Sequence, residues 1–118
     1  MTIWIREDIR LTAPLAFEDQ AKNVVVLGKL TSDFDVSFKV KNLIVFGGIV
    51  STKNVTLNTT ADFFNSGSIN GYNVRIVSDA NIYNGLDDRA IEKIRALGID
   101  LGLTPRIPDV IEQKTEDK

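Results

Sequence analysis

Residues 49–85 read IVSTKNVTLNTTADFFNSGSINGYNVRIVSDANIYNG. Displaced by 19 residues, the stretch lays Asn54 on Asn73, Val55 on Val74, Leu57 on Ile76, Phe63 on Ile82 and Asn65 on Asn84. Ile49 meets Ile69 after one extra residue. Polar and apolar positions return together, which a chance hydrophobic run would not produce. A fixed period of this length is the mark of a repeat architecture.

The pattern extends toward the N-terminus. One apolar column is Leu11, Leu30, Ile49 and Ile69; a second is Phe17, Val36, Val55 and Val74. A third contains Phe38, Leu57 and Ile76, with Asp19 as the exception in the first copy, and a fourth runs Val24, Leu43, Phe63 and Ile82. Asn23 aligns with Asn42, Gly28 with Gly47, Gly48 with Gly67 and Ala61 with Ala80.

Within each copy the apolar residues alternate, as in Val55-x-Leu57, so each short segment is a strand with one face inward. Strands are predicted near Ile49, Val55 and Phe63, with corners of Gly, Asn, Ser and Asp between them. Three short strands per copy, returning every 19 residues or so, describe a coil of a parallel β-solenoid. An antiparallel sandwich would place its turns by hairpin pairing and would not return identical residues at a full period. The expected fold is therefore all-β, a short parallel solenoid of about four coils.

In such a stack each residue lies about 4.8 Å above its equivalent. Columns then become interior stacks of β-branched and aromatic side chains, and aligned asparagines can bond amide to amide. Three asparagine ladders are expected: Asn23 with Asn42, Asn54 with Asn73, and Asn65 with Asn84.

Composition changes after Gly85. From Leu86 to Leu97 the chain is charged and helix-favouring: Asp87 can N-cap, Ala90, Ile94 and Leu97 share a face, and Gly98 can end the helix. Ala90, Ile94 and Leu97 are expected to form an end cap over the last coil. The predicted organisation is a solenoid over 1–85, a capping helix and extension over 86–103, and a flexible tail over 104–118. The first coil has no comparable cover, so Ile3, Trp4, Ile5, Ile9 and Leu11 are expected to contact another copy of the chain.

Length and charge agree with this organisation and narrow the chemistry. The chain has 118 residues, enough for one domain, and a net charge of −2. It contains no cysteine and no histidine, which removes disulfides, thiolate or imidazole metal sites, Ser-His-Asp triads and histidine acid–base catalysis. No basic start with a long apolar run reads as a signal peptide, and no apolar run approaches the roughly 20 residues of a membrane span. The compartment depends on the start: cytoplasmic if Met1 is the true one, cell surface or secreted if the chain is a piece of a longer protein.

The segment carrying Asn65, Gly67, Ile69, Gly71, Val74, Ile76, Ala80 and Asn84 resembles the roughly 20-residue repeats of filamentous-haemagglutinin-type bacterial surface proteins. The resemblance is good over about 40 residues and partial over 9–48. It implies a right-handed β-helix rod and an adhesin or toxin-delivery stalk. In architecture the chain is also similar to the bactofilins, stand-alone cytoplasmic solenoids that polymerise end to end, although their repeats are richer in glycine and valine.

Three chemical readings compete with a structural one. Asp33-x-Asp35 puts two carboxylates on one side of an extended segment, with Lys39 and Lys41 downstream, a pair suited to acid–base cleavage of a polysaccharide. Four coils make too short a groove for a polymer. Arg10 with Lys29 and Lys22 with Lys41 form a locally basic strip, but the whole chain is acidic and no aromatic residues interleave, so no nucleic acid is expected. Asp79, Asp87 and Asp88 lack the spacing of calcium-binding solenoids. The sequence thus points to a non-enzymatic structural or interaction module with no cofactor, no metal and no catalytic residue, whose partner is itself.

Overall fold

A computed structural model describes residues 2–99. The expected extension from residue 100 onward and the tail over 104–118 lie outside these residues. The described residues fall into two compact units, 2–85 and 86–99.

The first unit is a parallel β-solenoid of about four coils. Its strands are β1 (Thr2–Ile5), β2 (Ile9–Arg10), β3 (Leu15–Val26), β4 (Lys29–Ser32), β5 (Val36–Val45), β6 (Gly48–Ser51), β7 (Asn54–Thr59), β8 (Phe63–Asn65), β9 (Ser68–Asn70), β10 (Asn73–Ser78) and β11 (Ile82–Asn84). Every pairing between them is parallel. The strands predicted near Ile49, Val55 and Phe63 are β6, β7 and β8. The expectation of uniformly short strands holds for the later coils only. β3 and β5 run for 12 and 10 residues and serve two faces each, because their second halves continue the ladder of β1, β8 and β11.

Three faces result. The first stacks β1, Asn23–Val26, Leu43–Val45, β8 and β11. The second stacks β2, β4, β6 and β9. The third stacks Leu15–Asp19, Val36–Val40, β7 and β10.

Between these faces lies a core of Val24, Val26, Leu30, Val36, Phe38, Val40, Leu43, Val45, Ile49, Val55, Leu57 and Phe63, all buried. Each such side chain contributes on the order of 1.5–3 kcal/mol by leaving water. The columns from Asn23 onward have the predicted register: Val24, Leu43, Phe63 and Ile82 are stacked, as are Val36, Val55 and Val74.

The first coil corrects the 19-residue reading. Ile9, not Leu11, lies over Leu30, and Leu15, not Phe17, lies over Val36. Phe17 lies over Phe38, with ring centroids 6.2 Å apart, and Asp19 over Val40. The register shifts between Asp19 and Asn23, where the first coil holds two residues more than the second. There the Ala21 N–H donates to Asp19 Oδ1 at 3.1 Å and Lys22 Nζ lies 3.8 Å from Asp19 Oδ2. With the insertion placed at this corner, Phe17 replaces Asp19 in the column of Phe38 and Leu57, and Asp19 moves to the column of Val40 and Thr59. The insertion sits at a corner because a corner can absorb extra residues without moving a strand's side chains to the wrong face.

A glycine stack marks another corner. A Cβ on Gly47 would collide with the backbone carbonyl of Gly28, and one on Gly67 with that of Gly47. Only a residue without a side chain lets successive coils approach so closely. Gly47 therefore aligns with Gly67, while Gly48 aligns with Ser68, one position from the sequence-based pairing.

The second unit contains α1 (Asp88–Ala96). Asp87 caps it, its Oδ1 accepting the Ala90 N–H at 2.9 Å, and Lys93 and Arg95 in the last turn complement the helix dipole. Ala90 and Ile94 are buried, and Leu97 is the C-cap. Gly98, expected as the cap itself, is the next residue and takes φ +80°, a conformation glycine adopts without strain.

Candidate interface at the ends of the coil stack

The middle coils bury their columns completely, and the end coils do not. Val55 is 0 % exposed, whereas Val74, its successor in the column, is 42 % exposed. Phe63 is buried, whereas Ile82 above it is 48 % exposed. At the N-terminal end Ile9 is 41 % exposed, and Ile3, Ile5, Leu11, Leu15 and Phe17 pack half-buried against the core. Ile3, Ile5, Leu15, Phe17, Val24 and Phe38 line a wholly apolar cavity of about 100 Å³.

Of the five N-terminal residues predicted to form one contact, Ile3, Ile5 and Leu11 pack against the core, and Ile9 heads the column of Leu30 and Ile49. Trp4 lies on the opposite side of β1, in register with Val25, and the Arg6 guanidinium carbon sits 4.5 Å from the centre of its ring. Such a cation–π contact at an exposed site is worth about 0.5–1 kcal/mol. Trp4 thus belongs to a different surface from its neighbours.

That surface continues as a second apolar column, Trp4, Val25, Ile44, Phe64 and Tyr83. Val25, Ile44 and Phe64 are fully buried, and the rings of Phe64 and Tyr83 stack 4.8 Å apart at 5°. Alternation alone misses it. Its signal in the sequence is the uninterrupted apolar runs Val24–Val26, Leu43–Val45 and Phe63-Phe64, which mark strands covered on both sides.

Two of the predicted asparagine ladders are present. Asn42 Nδ2 donates to Asn23 Oδ1 at 2.9 Å, and Asn73 Nδ2 donates to Asn54 Oδ1 at 3.1 Å. Both extend through aspartates that the repeat alignment passed over. Asn42 Oδ1 accepts the Asp62 N–H at 2.8 Å, and Asp62 Oδ1 in turn accepts the backbone N–H and the side-chain amide of Asn81 at 3.1 and 3.2 Å. Asp35 Oδ1 accepts the Asn54 N–H at 3.1 Å. Asn65 and Asn84 align in register, but Asn65 turns its Oδ1 to the Gly67 N–H at 3.0 Å and so closes a turn.

The Asp33-x-Asp35 pair sits in a bend rather than an extended strand. Asp33 Oδ2 meets Arg10 Nη2 at 2.5 Å and its Oδ1 accepts from Thr52 Oγ1 at 3.4 Å, while Asp35 serves Asn54. Both carboxylates tie one coil to another. Arg10 aligns with Thr31 rather than Lys29, which removes the Arg10–Lys29 pair from the predicted basic strip. Lys39 lies in register with Glu18 and Asn58 on the third face. Among the described residues, no three carboxylates cluster as metal ligands, and no helix is long and apolar enough to cross a membrane.

Hydrogen-bonding strand edges and apolar column ends are presented together at each end of the stack, the combination that pairs with further strands. A scan of protein-family models and searches of curated proteins and of solved structures find no match to this chain.

Proposed function

We propose that the chain is a non-enzymatic structural and interaction module that self-associates through the ends of its coil stack. The observation that carries this reading is the exposure of interior column residues at both ends, Ile9 at one and Val74 and Ile82 at the other. The similarity of residues 65–84 to haemagglutinin-type repeats supports an adhesin-type segment that makes protein or surface contacts. The second reading, a bactofilin-like scaffold polymerising end to end, is favoured by the partial exposure of column residues Ile9, Val74 and Ile82.

Light scattering of the full chain and of a chain lacking residues 1–8 tests the proposal. Association that weakens when residues 1–8 are removed supports it; a monomer in both cases at every concentration overturns it. Deleting residues 86–118 tests the expected end cap separately, since longer polymers appear on deletion if those residues block one end.

A further inference from the structure

The two ends of the solenoid differ in shape. The N-terminal end contains an apolar cavity of about 100 Å³ between Ile3, Ile5, Leu15, Phe17, Val24 and Phe38. The C-terminal end exposes Val74 and Ile82 at the ends of their columns, with Tyr72 and Val77 beside them. One end thus holds an apolar cavity and the other exposes apolar side chains.

The chain path adds a geometric constraint. Among the described residues the first face carries five rungs, from β1 to β11, and the other two carry four each. The chain enters and leaves on the same face, so each end is a spiral step rather than a flat cut. At the C-terminal end, β9, β10 and β11 each pair on one side only; at the N-terminal end, β1 and β2 do the same. The next strand along the spiral after β11 belongs on the second face, above β9.

From this we infer that the solenoid docks head to tail on a second copy of the same chain, turned by one face. β1 of the incoming copy lies over β9, its β2 over β10, and the first half of its β3 over β11. Ile3 and Ile5 then meet Ile69, Ile9 meets Val74 and Ile76, and Leu15 and Phe17 meet Ile82. The strand direction continues across the junction, so the parallel ladder is extended and no edge is left unpaired there. Because the two joined surfaces are different, the contact is heterologous and repeats into a polar filament unless the rotation closes a ring. The inference rests on the self-association proposed above and adds its polarity and its partner surfaces.

A two-variant mixing experiment on the full chain tests it. Ile9→Lys disables the N-terminal surface and Ile82→Lys the C-terminal surface; both positions are already exposed in the single chain, and circular dichroism checks that the fold is kept. Each variant alone is expected to lose self-association by about 100-fold or more, since a charge is buried without a partner. The equimolar mixture is expected to form a one-to-one pair in sedimentation velocity and nothing larger, because each pair retains one intact junction. Ile9→Asp and Val74→Asp repeat the design with different side chains.

Either variant associating alone as strongly as the parent overturns head-to-tail docking, as does a mixture that stays monomeric while the parent assembles. A parent that is itself monomeric at every concentration removes the self-association reading along with it.

Discussion

The side-chain amide of Asn42 lies 2.9 Å from Oδ1 of Asn23, the residue one coil earlier, and its own Oδ1 takes the N–H of Asp62 one coil later. Asn42 is buried, so both groups depend on these partners. Asn42→Ala is expected to destabilise the fold by about 1–3 kcal/mol, the cost of leaving buried polar groups unpaired. Asn54→Ala, at an exposed rung, is expected to cost less than about 1 kcal/mol. Urea unfolding of the two variants measures the difference, and equal losses would contradict the ladder's burial as the source of its strength.

The first-coil register makes a prediction that needs no stability measurement. Glu18 stands opposite Lys39, 21 positions on, whereas a strict 19-residue repeat puts Gln20 there. The chain has no native cysteine, so introduced pairs report without interference. Glu18→Cys with Lys39→Cys is expected to form a disulfide readily, and Gln20→Cys with Lys39→Cys to form it poorly, since Cα separation controls bridging. Mass spectrometry after mild oxidation reads the outcome; the reverse preference would restore the 19-residue register.

The same column should respond differently along its length. Leu57→Ala, in a middle coil, is expected to cost about 2–5 kcal/mol. Ile76→Ala, one rung later and half-buried, is expected to cost less than half as much, because less apolar surface leaves the interior. Thermal or denaturant melts of both variants check this ordering.

Gly47→Ala places a methyl group against the backbone of Gly28, which cannot rotate away. A loss of about 1–3 kcal/mol is expected from this overpacking. Gly85→Ala meets no neighbour within 4 Å, and its cost is confined to the positive φ of +94°. Comparing the two separates close approach from backbone conformation as the reason for glycine.

The repeat was readable because inward positions of a parallel stack demand the same kind of residue at each return. From Asn23 onward the coils vary by only one residue in length, and the columns, the two working asparagine ladders and the helix at Asp88–Ala96 follow from spacing. The first coil is not legible in the same way, because a corner insertion shifts everything before it by two positions, which preserves alternation and so leaves no trace in the hydrophobic pattern. Alignment by identity leaves Asp62 and Asp35 out of the ladders because it separates Asp from Asn, although either side-chain oxygen can accept the same N–H. The outer column of Val25, Ile44 and Phe64 escaped a search for alternation because its strands are apolar on both sides. The exposure of Val74 and Ile82 is not legible in the sequence, because it is a property of rung number rather than residue type.

Sedimentation equilibrium of the unmodified chain from micromolar to millimolar concentration tests the proposed self-association of the coil stack most directly. The average mass is predicted to rise with concentration above the 13.1 kDa of the single chain. A mass that stays at 13.1 kDa throughout would contradict it.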